Sequence, residues 1–388
     1  MSNFFVSCQL GAEDILLNEM NFFWHKMIDL DGLPTRTRPE VLSEEKGGLE
    51  IKCELYLGLQ INLFSKIANR ILLRVHQFEA RYFDQFEKEI KKMNWTQFVD
   101  LKKPVKFEVD SAKSRLFHEG NLLEVLEKTL KIKSSSDEAA QKVFIRIFKD
   151  SVQISLDTSG EHLHKRGYRK QQGEAPMRET LAAQMIQFLT ETSRNLNLPY
   201  LQSDKNILYI DPFCGSGTLL FETRLANAIN FMRSYAFENF TFLPALFKSP
   251  VWKKNYKFKN IFNNRLLGIE IDTATFDKAI NNLKNLPIED QNHIEILNQD
   301  CQDLVLQVAD TDYKIIVTNP PYGGRLSDIK ADVILQYLEE KINPHVIVVV
   351  HPKDWNFKFK NLKLSRQKAF NNQGLDLYLS YFSKHINQ

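Results

Sequence analysis

The stretch that most limits what this chain can fold into is "NILYIDPFCGSGTLLFE", residues 206–222. An apolar run of strand length ends in an acid, crosses Gly215 and Gly217, and enters an apolar helical pattern. Glycine lets backbone approach a ligand closely, and the following helix N-terminus adds oriented N–H groups. The same alternation continues on both sides. From about Ala175 the spacing predicts a helix over Glu179 to Leu189, a helix from Leu219 to Asn230, a strand in "RLLGIEID", and a helix in "TATFDKAINNLKNL". Three further strands follow in "IEILNQD", "KIIVTNP" and "PHVIVVVH". Strands alternating with helices predict an open, mostly parallel α/β sheet.

The part before it reads differently. Phe4 to Cys8 is a short apolar strand, Ala12 to about Lys26 an amphipathic helix, "GGLEIKC" a strand and Leu55 to Arg70 a helix. A second α+β region opens with "RILLRVHQFEA". It continues through a helix from Tyr82 to Met93, the strand "VKFEVDS", a helix from Asn121 to Ile132 and the paired strands "KVFIRIFKD" and "SVQISLDTS". Val143, Ile145 and Ile147 alternating with Phe144, Arg146 and Phe148 suit a strand covered on both sides. The polar, basic, glycine-containing segment 160–173 reads as a linker to the third region.

Composition narrows the class. With 43% hydrophobic and 26% charged residues the chain reads as soluble and globular. No run approaches the roughly 18 apolar residues of a membrane helix, and Met1 to Gln9 lacks the layout of a signal peptide, so a cytoplasmic protein without a membrane partner is expected. Cys8, Cys53, Cys214 and Cys301 form no Cys-x-x-Cys pair, which supports neither a zinc site nor a disulfide frame. The net charge of +3 says little, but its distribution says more. Between Phe240 and Gly268, Lys248, Lys253, Lys254, Lys257, Lys259 and Arg265 interleave with Phe242, Phe247, Trp252, Tyr256, Phe258 and Phe262, with no acid. Cations meet phosphates and rings stack on unpaired bases, so an RNA surface is one reading. A loop with its rings turned inward is the other.

The glycine turn admits three readings. A Walker loop needs a closing Gly-Lys-Ser/Thr, which is missing here. A dinucleotide fingerprint needs a third glycine where Leu220 stands. The third is S-adenosylmethionine, with Asp211 facing its amino-acid end and the turn from Pro212 through Cys214, Gly215 and Gly217 lying against it. Glu270 ends the next strand, where an acid can accept from ribose hydroxyls. Asp300 ends the strand after that and can accept from an adenine amine. Any single strand-end Asp can instead be a helix N-cap. Three in succession in one sheet are hard to assign to caps alone.

"TNPPYGGRL" supplies the other half of a reaction centre. Pro320 and Pro321 cannot donate to a sheet ladder and restrain the residue before them, so the strand stops at Asn319. The result is a stiff platform presenting an amide oxygen, a carbonyl and the flat ring of Tyr322. If Asn319 and the Pro320 carbonyl accept the two hydrogens of a purine amine, its nitrogen turns towards tetrahedral geometry and its lone pair can meet a methyl group. A merely stiff strand-ending turn is the bland alternative.

"DPFCGSGTLLFE" and "TNPPYGGRL", with "KRGYRKQQGEAPMRETLAA" before them, resemble the THUMP-domain class I RNA methyltransferases. The match is nearest to the bacterial enzymes that methylate the 2-amino group of a guanine in large-subunit (23S) ribosomal RNA. The resemblance implies an α/β chain with a C-terminal Rossmann-like class I methyltransferase sheet, 166–388, preceded by α+β ferredoxin-like (1–65) and THUMP (66–165) domains. It implies S-adenosylmethionine held by Asp211, Gly215 and Gly217, with Glu270 rather than Asp272 on the ribose and Asp300 near the adenine. Asn319, Pro320, Pro321 and Tyr322 would take the target base, and "PMRETLAA" with Thr180 would close over the cofactor. RNA is the implied partner, with no obligate protein partner and no metal. A tRNA guanine is the rival substrate, and a non-catalytic RNA-binding assembly factor the rival class. Some relatives carry a second methyltransferase behind this one; the sequence ends at Gln388, so that activity is expected to be absent or separately encoded. The distance from Asp211 to Glu270 is about three times the roughly 20 residues of a compact nucleotide fold. The basic, aromatic segment fills the excess.

Overall fold

The computed structural model describes residues 1–171, 177–198, 206–249, 252–256, 264–306, 313–322, 330–372 and 375–384. The chain forms two units, Met1–His164 with Ile229–Phe258, and Lys165–Ala228 with Lys259–Gln388.

In the first unit, strands β1 (Ser2–Ser7), β2 (Glu40–Glu45), β3 (Gly48–Cys53), β4 (Arg70–Glu79), β5 (Val105–Ala112), β6 (Gln141–Phe148) and β7 (Ser151–Asp157) make one sheet. Their order is β2-β3-β1-β4-β7-β6-β5. Because β1 pairs with both β3 and β4, the sheet runs without a break across residues 65 and 66. β5 and β6 are parallel, a pairing that requires a crossover, and the helix Glu119–Leu130 lies in that connection. Val143, Ile145 and Ile147 are fully buried, whereas Arg146 and Phe148 are exposed, so β6 is covered on one face and not on two. β2 was not legible: "EVLSEE" is exposed throughout and is a strand through its pairing with β3.

The segment 229–258 belongs to this unit although it lies between strands of the other. Its rings are spent on packing. Phe247 and Trp252 are buried edge to face at 5.1 Å, and Tyr256 is buried against Phe64 at 6.1 Å. Phe242 meets Phe98 at 5.9 Å. The inward reading of this segment therefore holds for these four rings, while Lys248 and Lys254 remain exposed. Lys257, Phe258, Lys259 and Phe262 lie outside the described residues.

The second unit contains β8 (Ile207–Asp211), β9 (Arg265–Glu270), β10 (Ile294–Asn298), β11 (Tyr313–Thr318), β12 (Val346–Pro352), β13 (Leu362–Asn372) and β14 (Leu375–Lys384). The order is β10-β9-β8-β11-β12-β14-β13. The first five are parallel, and β14 runs antiparallel to both neighbours. This is the open, mostly parallel α/β sheet that the sequence predicts. Ile315, Ile316 and Val346 to Val350 are fully buried, as expected where helices cover both faces of a parallel sheet. Strand order reverses between β8 and β11, and a crevice at such a switch point, outside the carboxyl ends of the strands, is where open α/β sheets bind ligands.

The expected linker is partly a strap of this unit. Arg166 is 2% and Tyr168 0% exposed. The Tyr168 hydroxyl donates to Glu222 at 2.9 Å, and the Arg166 guanidinium lies 3.3 Å from the same carboxylate. Basic, glycine-containing composition suggested solvent; a buried acid in the helix Thr218–Leu225 calls those groups inward instead.

Candidate active site

Four adjacent parallel strands bring their carboxyl ends to one edge. Asp211 of β8 lies opposite Gly268, two residues before the end of β9 at Glu270, and Glu270 lies opposite Asn298 of β10. On the other side of β8, Ile210 lies opposite Ile316, so Thr318 and Asn319 reach the same edge. The expected carboxylates and the Asn-Pro-Pro-Tyr turn are thus neighbours because register places them there.

The glycine turn is pinned to β9. The Cys214 N–H donates to the Ile269 carbonyl at 3.0 Å, the Gly217 N–H to the Cys214 carbonyl at 2.9 Å, and the Gly215 N–H to Glu270 Oε2 at 3.0 Å. The two glycines serve different ends. Gly217 has φ +87°, and a Cβ there would lie 2.4 Å from the Phe221 ring, so packing forbids a side chain. Gly215 has φ +55°, and a Cβ there meets nothing within 4 Å. That open space is where a ligand can lie against the backbone. Pro212 and Cys214 are buried, and burial first, then the negative charge of Asp211 and Glu270, pushes the Cys214 thiol well up. A thiol held neutral in this way is packing and not a nucleophile.

The acids divide likewise. Asp272 Oδ1 accepts the Thr275 N–H at 2.8 Å and caps the helix Thr273–Leu283. Asp300 accepts the Gln302 N–H at 2.8 Å, capping a short turn while staying half-buried just past β10. Asp211 and Glu270 cap no helix. Glu270 accepts from Gly215 and, through Oε1, from the Asp272 N–H at 2.9 Å, and burial raises its carboxyl. Each carboxylate oxygen has further lone pairs, so it can still accept from hydroxyls. Asp211 is 3% exposed and takes both the Thr318 hydroxyl at 2.7 Å and the Phe213 N–H at 3.2 Å on Oδ1. Burial drives its carboxyl up to about 7, against the lowering effect of those two bonds. A cationic ligand group would repay that desolvation.

Asn319 Oδ1 is buried and has no hydrogen-bond partner among the described residues. Buried polar atoms are mostly paired, so this amide oxygen, at the edge that holds the carboxylates, has capacity to accept from a ligand. Tyr322 packs half-buried against the core, Pro320 is buried and Pro321 half-buried, while Gly323 to Leu326 lie outside the described residues. Thr180 is buried in the first turn of the helix Glu179–Asn195. Sequence reasoning missed Thr318, the hydroxyl that fixes Asp211, although a polar residue closing an apolar strand was a signal. It also missed Arg169, which grips Glu179 at 2.9 and 2.5 Å, and Asn282, which joins the strap at Gln171 to the Ser216 carbonyl.

Residues 166–357 match the family UPF0020, described as RMKL-like, methyltransferase domain. The chain is 28% identical over 357 residues to YpsC of Bacillus subtilis, whose name assigns it provisionally to the RNA methyltransferases, covering 83% of this chain and 85% of YpsC. It is 29% identical over 310 residues to the ribosomal RNA large subunit methyltransferase K/L of Colwellia psychrerythraea, covering 73% of this chain and 40% of that enzyme. The chain therefore spans less than half the length of its K/L relatives. Among solved structures, SMU.472, provisionally described as a methyltransferase and solved in complex with S-adenosylhomocysteine, superposes with a TM-score of 0.75 at 21% identity, over 100% of this chain and 99% of that one. The likeness is one of fold.

Proposed function

We propose that this chain, whose residues 166–357 match the UPF0020 family of RMKL-like methyltransferase domains, methylates the exocyclic 2-amino group of a guanine in large-subunit ribosomal RNA, using S-adenosylmethionine. The observation that carries the reading is the buried Asn319 Oδ1, without a partner among the described residues, at the edge that also holds Asp211 and Glu270. The names of the YpsC and K/L relatives support RNA as the substrate, and the ligand of SMU.472 supports the cofactor. In this reading residues 1–65 and 66–165 are the ferredoxin-like and THUMP portions that dock RNA, and the protein works in the cytoplasm. Among the described residues no helix is long and apolar enough to cross a membrane.

The cofactor supplies an electrophilic methyl on a cationic sulfur. Asp211 would hold its cationic amino-acid end, Gly215 would leave room for it, Glu270 would accept from the ribose and Asp300 from the adenine. Asn319 Oδ1 and the Pro320 carbonyl would accept the two amine hydrogens, and Tyr322 would stack on the base. A purine amine is a weak nucleophile because its lone pair is delocalised into the ring. Acceptors that pull both hydrogens out of the ring plane localise that lone pair. The nitrogen so oriented would accept the methyl group that the cofactor supplies, the bonding pair staying on sulfur, and would then release a proton without a strong base. Positioning and preorganised acceptors carry the rate.

Asp211 makes cofactor affinity pH-dependent. Its carboxyl is raised from 3.8 to about 7, so between those values the folded protein holds a proton that the unfolded chain has released. Ligand-free stability therefore falls as pH rises through that window. A cationic ligand needs the ionised form, so affinity should climb by roughly ten-fold per unit up to about pH 7 and then level. Calorimetry from pH 5.5 to 8.5 on wild type and Asp211→Asn checks this, with the slope abolished in the variant; equal slopes would remove Asp211 from the pocket. For the function as a whole, nucleoside mass spectrometry of ribosomal and transfer RNA from cells with and without the gene is the test. Loss of 2-methylguanosine from large-subunit RNA is expected; its loss from tRNA alone would overturn the ribosomal assignment.

A further inference from the structure

Three loops of the first unit are locked together by Asp150. The hairpin between β6 and β7 turns through Lys149 and Asp150 at φ +52° and +66°. The Asp150 carboxylate accepts the Arg115 N–H at 2.9 Å and lies 3.4 Å from the Arg81 guanidinium. Its N–H donates to the Ser114 hydroxyl at 3.0 Å, and its carbonyl accepts the Ala80 N–H at 2.9 Å. The tip is therefore built, with loops 80–83, 113–118 and 148–150 fixed to one another.

Four rings stand out from it into solvent, Tyr82 at 54%, Phe83 at 36%, Phe117 at 61% and Phe148 at 40% exposure. Cations are set against them. Arg115 donates to the Tyr82 hydroxyl at 2.9 Å, and the ammonium groups of Lys149 and Lys113 lie 5.6 and 6.0 Å from the Phe148 ring. Within these loops the acid is Asp150, already engaged; Glu79, Asp84 and Glu119 border the tip, and the Glu119 carboxylate accepts the Ser111 N–H at 3.2 Å. Single exposed rings are ordinary, but four at one tip interleaved with four cations are not.

We infer that this tip is a docking surface for an unpaired stretch of the RNA substrate. The inference rests on the RNA reading above. Rings on a fixed platform can stack on splayed bases while adjacent cations meet the phosphates, a combination with no use on a stacked A-form duplex. The charge argues for a polyanion over an apolar protein partner.

The test uses the full chain, fluorescence anisotropy with a short labelled oligouridylate and a duplex control, and methyl transfer to ribosomal RNA in the same preparations. Phe117→Ala with Phe148→Ala should weaken oligouridylate binding by roughly ten-fold or more and raise KM for RNA without lowering kcat, leaving the salt dependence as it was. Lys113→Gln with Lys149→Gln should flatten the plot of log affinity against log salt by about 1.4, at about 0.7 for each phosphate that is no longer neutralised. All four positions are at the surface, so melting temperatures should not move. Wild-type affinity and KM in both double variants would overturn the docking surface while leaving the RNA reading intact. A wild-type protein that neither binds nor methylates RNA would overturn both.

Discussion

Asn319→Ala is expected to lower turnover by about two to three orders of magnitude while leaving the affinity for S-adenosylmethionine nearly unchanged. In the proposed mechanism the amide oxygen does its work in the transition state, where it would accept from an amine whose acidity rises as the methyl arrives. It touches neither Asp211 nor Glu270, so the cofactor pocket stays whole. A buried acceptor without a partner costs stability, so the melting temperature should hold or rise. Loss of rate without loss of stability separates a reacting group from a structural turn. Tyr322→Phe keeps the ring and should be mild; Tyr322→Ala loses stacking worth roughly 1–3 kcal/mol. Single-turnover kinetics on guanine-containing RNA decides the matter, and near-normal rates in Asn319→Ala would reduce the platform to a stiff turn.

Arg169→Met is expected to cost the second unit about 3–5 kcal/mol, a large share of a typical folding stability. Arg169 donates from Nε to Glu179 Oε1 at 2.9 Å, brings Nη2 within 2.5 Å of Oε2 as an ion pair, and also donates to the Met177 carbonyl at 2.8 Å. Burial already pushes the Glu179 carboxyl up, and Arg169 is the group that counters it. Methionine fills similar volume without the charge, so the carboxylate is left buried without its cation. The damage should spread, since Glu179 opens the helix Glu179–Asn195, which packs on the helix Thr218–Leu225 that follows the glycine turn. Thermal melts of Arg169→Met, Arg169→Lys and Arg169→Met with Glu179→Gln test it. The double variant should recover part of the loss. If Arg169→Met melts like wild type, the pair does not hold the strap.

The sheet that carries the site was legible because its physics is local. A strand buried on both faces must read as an apolar run, and a parallel sheet must put the ends of those runs on one edge, so Asp211, Glu270 and Asn319 could be placed together from sequence. What failed depended on distant partners. The strap around Tyr168 looked like a linker because Glu222, which draws it inward, is 54 residues away. Tyr256 and Phe242 looked free because their partners, Phe64 and Phe98, lie in another region of the chain. β13 and β14 were missed because one face of an edge hairpin is wet: Leu364 and Leu375 are each 52% exposed. The helix Ala331–Ile342 was passed over although Leu335, Leu338 and Ile342 mark a helical stripe. Among the strand-end acids, Asp300 does serve as a cap, and Asp272 caps as well, so the bland reading of such residues held at those positions.

The most direct measurement is transfer of a labelled methyl group from S-adenosylmethionine to unmodified large-subunit ribosomal RNA by the purified chain, followed by nucleoside analysis of the product. The account predicts label in 2-methylguanosine, with naked or partly assembled RNA a better substrate than mature ribosomes, because the base must be flipped out of its stack. Label in an adenine amine, or no transfer to RNA by a chain that binds the cofactor, would contradict it.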